Sequence, residues 1–181
     1  MITAEHIKSL LELQKATNVA YFGEEWRKHW TEVAVVNSIY REWAEFLDEV
    51  SSSWKIYGND QQWHQVDAVY ELVDVVHFML CAVLQEEEKP HDIPEMVRFV
   101  QTRPIQKPHD LRKVTELFTY FMSHPERNVL ATFLACACGY LGLDAETYML
   151  AHKRKNDRNR LRAAGGANYD KSAETPLTLE F

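Results

Sequence analysis

The sequence predicts an all-α fold, a single-domain helical bundle. Strand signals are scarce, whereas apolar residues recur at helical spacing over most of the chain. Breakers separate the apolar stretches: Gly23, the serines at 51–53, and the prolines of two "KPHD" tetrapeptides. The 181 residues are 46% hydrophobic and 26% charged. That is ordinary globular usage and enough chain for one domain with a sizeable core.

The first helix is predicted over residues 3–21, ending near Gly23. A second runs over 31–50 and breaks at the serines; Val36, Ile39, Tyr40, Trp43 and Leu47 form its core-facing arc. The third covers 61–87. Val66, Val69, Leu72, Val73, Val76, Met79, Leu80 and Val83 take up most of its circumference, so burial on nearly all sides is expected. Shorter helices follow near 93–101 and 109–123, then two more over 125–141 and 143–162. The helical domain is assigned to 1–163. The tail, 164–181, is rich in small and polar residues and is expected to loop or drape over the surface. In "KPHD", at 89–92 and 107–110, proline breaks the chain and aspartate caps the next helix, a better account than metal binding.

Several classes are excluded. The net charge of −7 gives no general attraction to nucleic acid or anionic membranes. No apolar stretch is long and charge-free enough to span a bilayer, and the acid-bearing opening "MITAEHIKSLLELQK" does not read as a secretory signal. Cys81, Cys136 and Cys138 lie in apolar runs without a C-x-x-C, as expected of reduced core cysteines in a cytoplasmic protein.

Two constellations stand against this bland background. Asp67, Glu71 and Asp74 share a narrow sector of the otherwise apolar third helix. This stripe either faces water or forms a ligand set, because a buried carboxylate must be paired, protonated or metal-bound. The second helix favours the ligand set: Glu42 and Glu45 are also three apart, so two helices can turn acidic pairs into one cleft. Like charges ~4 Å apart cost about 4 kcal/mol at an effective dielectric near 20. Four such groups need cations, and all-oxygen ligands suit magnesium, with manganese as a substitute. The other constellation is "HKRKNDRNRLR" at 152–162, which places Lys155, Asn159 and Arg162 on one face beside Tyr148 and His152. Cations at that spacing suit a polyphosphate, and an asparagine can read a base edge. Alone, the segment reads as a solvated basic helix end.

Together the two constellations resemble one family, the dimeric all-α dUTP diphosphatases within the all-α nucleoside triphosphate pyrophosphatases. "EWAE" at 42–45 and "ELVD" at 71–74 resemble its paired acidic motifs. "LQKATN", with Gln14 and Asn18, then Trp26, "SSSWK" ending at Lys55, "ELVDVVHF" and "KNDRNRLR" follow in the family's order. Ala16, Ala163 and the spacing of Gly166, Ala167 and Tyr169 depart from its pattern.

The resemblance implies hydrolysis of dUTP to dUMP and pyrophosphate. It implies that Glu42, Glu45, Glu71 and Asp74 hold Mg2+, and that Glu45 orients or deprotonates the attacking water. Lys155 and Arg162, with help from Lys55, would neutralise phosphate charge. Asn159 and Gln14 would read the pyrimidine, with Asn18 and Trp26 shaping that pocket. A homodimer is implied, and the tail can order over the active site. Two alternatives stay open: the same chemistry on dCTP or a modified nucleotide, and a non-catalytic helical module binding nucleic acid through 152–162.

Overall fold

The structure, a computed structural model, describes residues 2–86 and 110–180. The predicted helix at 93–101 and the first "KPHD" lie outside them. Six α-helices are described: α1 (Ala4–Phe22), α2 (Glu32–Glu49), α3 (Gln65–Glu86), α4 (Leu111–Ser123), α5 (Arg127–Leu141) and α6 (Ala145–Gly165). No strand occurs among the described residues.

The helix ends follow local chemistry. Thr3, Thr31, Asp110 and Asp144 each accept a backbone N–H of the following first turn, closing α1, α2, α4 and α6. Asp110 therefore does the capping expected of the second "KPHD". At the end of α5, Gly142 adopts the left-handed conformation, φ 74°, that terminates a helix without a Cβ clash.

The central element is α3. It packs most extensively on α2 and also touches α1, α5 and α6. Val69, Leu72, Val73, Val76, Met79 and Leu80 are all buried, as their all-round spacing predicts. Each such side chain contributes about 1.5–3 kcal/mol of burial free energy. One position in the expected arc of α2 differs: Tyr40 is 52% exposed, its ring reaching only Phe118, while Trp43 beside it is stacked on Phe46 and Phe118 in the core.

The tail folds back rather than leaving the body. Leu177 packs against the core and Leu179 is buried. Tyr70 on α3 and Arg154 on α6 both donate to the Thr178 carbonyl, and Arg158 donates to that of Thr175. The tail thus runs antiparallel to the basic half of α6, because three arginines on that helix supply donors for a segment that forms no helix of its own beyond single 3-10 turns at Gly166–Asn168 and Lys171–Ala173.

Candidate active site

The α2–α3 contact brings three of the four predicted carboxylates together, while Asp74 is held by Lys155 and His77. Oxygens of Glu42, Glu45 and Glu71 lie within 4.8 Å of one another. Glu45 is the most solvent-facing, with its side chain 45% exposed and accepting from Arg41 at 3.1 Å. Glu71 is deeper, and its Oε2 is buried without a hydrogen-bond partner. Burial, then the charges of Asp74 and Glu45, pushes the Glu42 carboxyl up to about 7. Burial, then Asp74, does the same to Glu71. Both shifts have the same causes: burial first, then neighbouring carboxylates with too little compensating charge.

Asp74 differs. Its burial disfavours the charge, but the hydrogen bond from His77 and the ammonium of Lys155 outweigh that and hold its carboxyl below the ordinary range. Lys155 Nζ lies 2.5 Å from one Asp74 oxygen, and His77 Nδ1 lies 3.4 Å from the other. Asp67, predicted on the same sector, instead joins Glu49 and His64 in a separate surface group.

Behind Asp74 runs a buried polar chain. Asn156 Nδ2 lies 3.2 Å from His77 Nε2 and 3.2 Å from His152 Nδ1, and its carbonyl accepts from the Thr17 hydroxyl. His152 is fully enclosed, and its burial, then His77, drives its pKa well below the usual histidine value. Asn156 links α1, α3 and α6, yet sequence reasoning passed over it. Its signal was the spacing: His152 and Asn156 stand four apart, so they share one face of α6, and both are buried.

The basic face of α6 is assembled as predicted but internally paired. Arg162 donates to both oxygens of Glu174, at 2.6 and 2.7 Å, and Arg158 lies 3.4 Å from the same carboxylate. These bonds from Arg162 hold the Glu174 carboxyl down at about 2. Asn159 accepts from Arg162 at 3.2 Å. The ammonium of Lys55 is held by Asp60 at 2.7 and 2.8 Å.

Gln14 and Asn18 are buried on α1. Gln14 Nε2 donates to Asn18 Oδ1 at 2.9 Å and to Cys81 Sγ at 3.5 Å; Asn18 Nδ2 donates to the same sulfur at 3.4 Å. Trp26 sits in the core with Arg27 over its ring. The indole that meets Asn18 is Trp30, whose Nε1 donates to Asn18 Oδ1 at 3.3 Å. One more turn of chain separates these two tryptophans, through the 3-10 turn Trp26–Lys28.

A carboxylate cluster on two adjoining helices, with Lys155 of a basic third helix on the neighbouring Asp74, is an arrangement that suits a phosphorylated substrate. The family model described as dUTPase matches residues 6–167, most of the chain. The chain belongs to the dUTPase family. A search of the curated proteins found no match. As a dUTPase it is a dUTP diphosphatase, which hydrolyses dUTP to dUMP and pyrophosphate. The all-α dUTPases work with a divalent metal, and the residues here fit one: an orphaned carboxylate oxygen, three clustered oxygen ligands and two carboxyls raised to about 7 all call for a cation. Neither alternative, another nucleotide or a nucleic-acid module, is favoured by these findings. No single helix among the described residues is long and apolar enough to cross a membrane.

Proposed function

We propose that Glu42, Glu45, Glu71 and Asp74 hold magnesium for dUTP hydrolysis, the observation carrying this being the Glu42, Glu45 and Glu71 cluster with its unpartnered Glu71 oxygen. Hard carboxylate oxygens favour Mg2+, with Mn2+ able to replace it. The bound ion supplies charge neutralisation at the phosphate oxygens and a template for in-line displacement. The protein's own part is placement. Glu45, with the most solvent access, orients the water and takes its proton; the water oxygen bonds to a phosphorus of the α–β phosphoanhydride, the bond from that phosphorus to the bridging oxygen breaks, and dUMP and pyrophosphate form. Lys155 exchanges Asp74 for a phosphate oxygen, and Arg162 meets the phosphates with Asn159 holding its guanidinium in place. Gln14 and Asn18 read the base. Trp26 supports that pocket from the core, and Lys55 contributes on release from Asp60.

The helical domain of 1–163 carries these residues, with the tail ordering over α6 beside them. A homodimer is supported by apolar side chains left at the surface, among them Ile56 at 94%, Val33 at 69% and Tyr57 at 65% exposure. The three free, buried cysteines fit a reducing, cytoplasmic setting. The test is pyrophosphate release from dUTP as Mg2+, Mn2+ and Ca2+ are titrated into EDTA-stripped protein, with light scattering to give the mass in solution. Full activity in EDTA, or a monomer mass at assay concentration, would defeat the metal or the dimer assignment respectively.

A further inference from the structure

Gln14 and Asn18 are primary amides, and an amide can turn over to offer a donor where it offered an acceptor. A pocket built from two of them could therefore accept uracil, whose N3 carries a proton, or cytosine, whose N3 is a bare acceptor. Cys81 does not decide between them, because a thiol both donates and accepts weakly; burial pushes its pKa up to about 12, so it stays a thiol.

Trp30 does decide. An indole N–H only donates. It is directed at Asn18 and lies 3.3 Å from its Oδ1. That bond fixes Asn18 with its oxygen toward Trp30 and its Nδ2 toward Cys81. Gln14 then has to present Nε2 to the same Asn18 oxygen, which it does at 2.9 Å. The atom of the pair left without any partner is Gln14 Oε1, an acceptor, buried in a residue only 5% exposed. Turning Gln14 over would require turning Asn18 over as well, and that would set an amide N–H against the indole N–H. The indole itself is held firmly: its ring lies edge-on to Phe78 and Phe22, at 5.4 and 5.7 Å between centroids, and its carbonyl accepts from Gln85.

We infer that Trp30 is a specificity-determining residue: through Asn18 it locks Gln14 with an acceptor as its unpartnered atom, so that a pyrimidine meeting that atom at N3 must carry a proton there, which uracil does and cytosine does not. The inference rests on the reading of Gln14 as base-reading. It makes a distinctive demand. Uracil and thymine share the N3 proton, so the relay separates dUTP from dCTP but contributes nothing to the separation of dUTP from dTTP.

The experiment compares kcat/KM for dUTP, dCTP and dTTP in the full-length protein and in Trp30→Phe, which keeps a ring between Phe22 and Phe78 and removes the N–H. The preference for dUTP over dCTP should fall about tenfold, the effect of leaving a single buried donor or acceptor mismatched, while the ratio of dUTP to dTTP stays at the wild-type value. A retained dUTP over dCTP preference, or an equal fall in both ratios, overturns the relay. If Trp30→Phe fails to fold, 3-benzothienylalanine placed at position 30 preserves the bicyclic shape without the N–H, and the same two ratios decide. Gln14→Ala separates the levels of the argument. Should it keep the wild-type dUTP over dCTP ratio, Gln14 does not read the base, and both readings fall. If it abolishes the preference while neither change at position 30 does, the relay alone fails.

Discussion

The two charged regions of this molecule are finished to different degrees. The acidic cluster between α2 and α3 is incomplete: Glu42 and Glu71 are raised to about 7, and one Glu71 oxygen has no partner. On α6 three cations are already satisfied, Lys155 by Asp74 and both Arg158 and Arg162 by Glu174. The acidic side therefore gains from any divalent ion that arrives. The basic side can meet a triphosphate only by exchanging one anion for another. Metal binding should be strongly coupled to stability, and phosphate binding should be partly offset by the internal pairs it displaces.

The largest effect expected from breaking the contrast is at Glu71. Glu71→Gln keeps the shape and a good helix former but removes a ligand charge at the deepest point of the cluster. Turnover of dUTP should fall by roughly 10^3-fold, the scale of several kcal/mol of lost electrostatic stabilisation. Stability in EDTA should hold or rise slightly, because a like charge has gone. A marked drop of the EDTA melting temperature would instead make Glu71 a structural partner.

Arg162→Ala probes the other side. A charged hydrogen bond is worth about 1.5–3 kcal/mol, but here its net gain is smaller, because the guanidinium must give up Glu174 to meet a phosphate. The expected result is a rise in KM of about tenfold, equal for dUTP, dCTP and dTTP, since all carry the same phosphates. Unequal losses among the three would place Arg162 near the base.

The incompleteness of the acidic side also sets a pH dependence. Glu42 and Glu71 have folded pKa values raised from 4.5 to about 7. An acid with a raised folded pKa binds its proton more tightly in the folded chain. Its stabilising contribution is full below pH 4.5 and is lost as the pH rises through about 7. In EDTA the melting temperature should accordingly fall by a few degrees between pH 6 and pH 8 from this source. Saturating Mg2+ should flatten that slope, because the ligated carboxylates are already ionised. Identical slopes with and without Mg2+ would separate the metal from these two residues.

How much of this could be read beforehand follows from what each feature depends on. The helices were legible because periodicity and breakers act locally; Gly23 and Asp110 end and begin helices as their chemistry requires. The acidic pairs were legible because i, i+3 spacing fixes a face and charge on an apolar helix is costly. Glu174 was not, since its partners lie 12 and 16 residues back and only the fold-back of the tail brings them near. Trp30 escaped for a related reason. Trp26 occupied the motif position, while the geometry of one 3-10 turn sends Trp26 into the core and Trp30 to Asn18. His77 and Asn156 are both buried, and that their chain ends on Asp74 is tertiary information.

The smallest expected effect concerns Asn159, and it sharpens the division between base and phosphate ends. Its side-chain oxygen accepts from Arg162 at 3.2 Å, while the same arginine is bidentate on Glu174. A residue so placed acts through the guanidinium it holds. Removing it takes away a neutral acceptor, worth about 0.5–1.5 kcal/mol, and leaves the Arg162 charge in place. Asn159→Ala should therefore cost only about 2- to 10-fold in kcat/KM, by equal factors for dUTP, dCTP and dTTP. It should also add little to Arg162→Ala, because the two residues share one interaction and their effects are not additive. Comparing the single and double variants on all three nucleotides tests both points. A selective loss on dUTP, still present when Arg162 is already alanine, would mean that Asn159 touches the base directly and that α6 contributes to reading uracil as well as to holding phosphate.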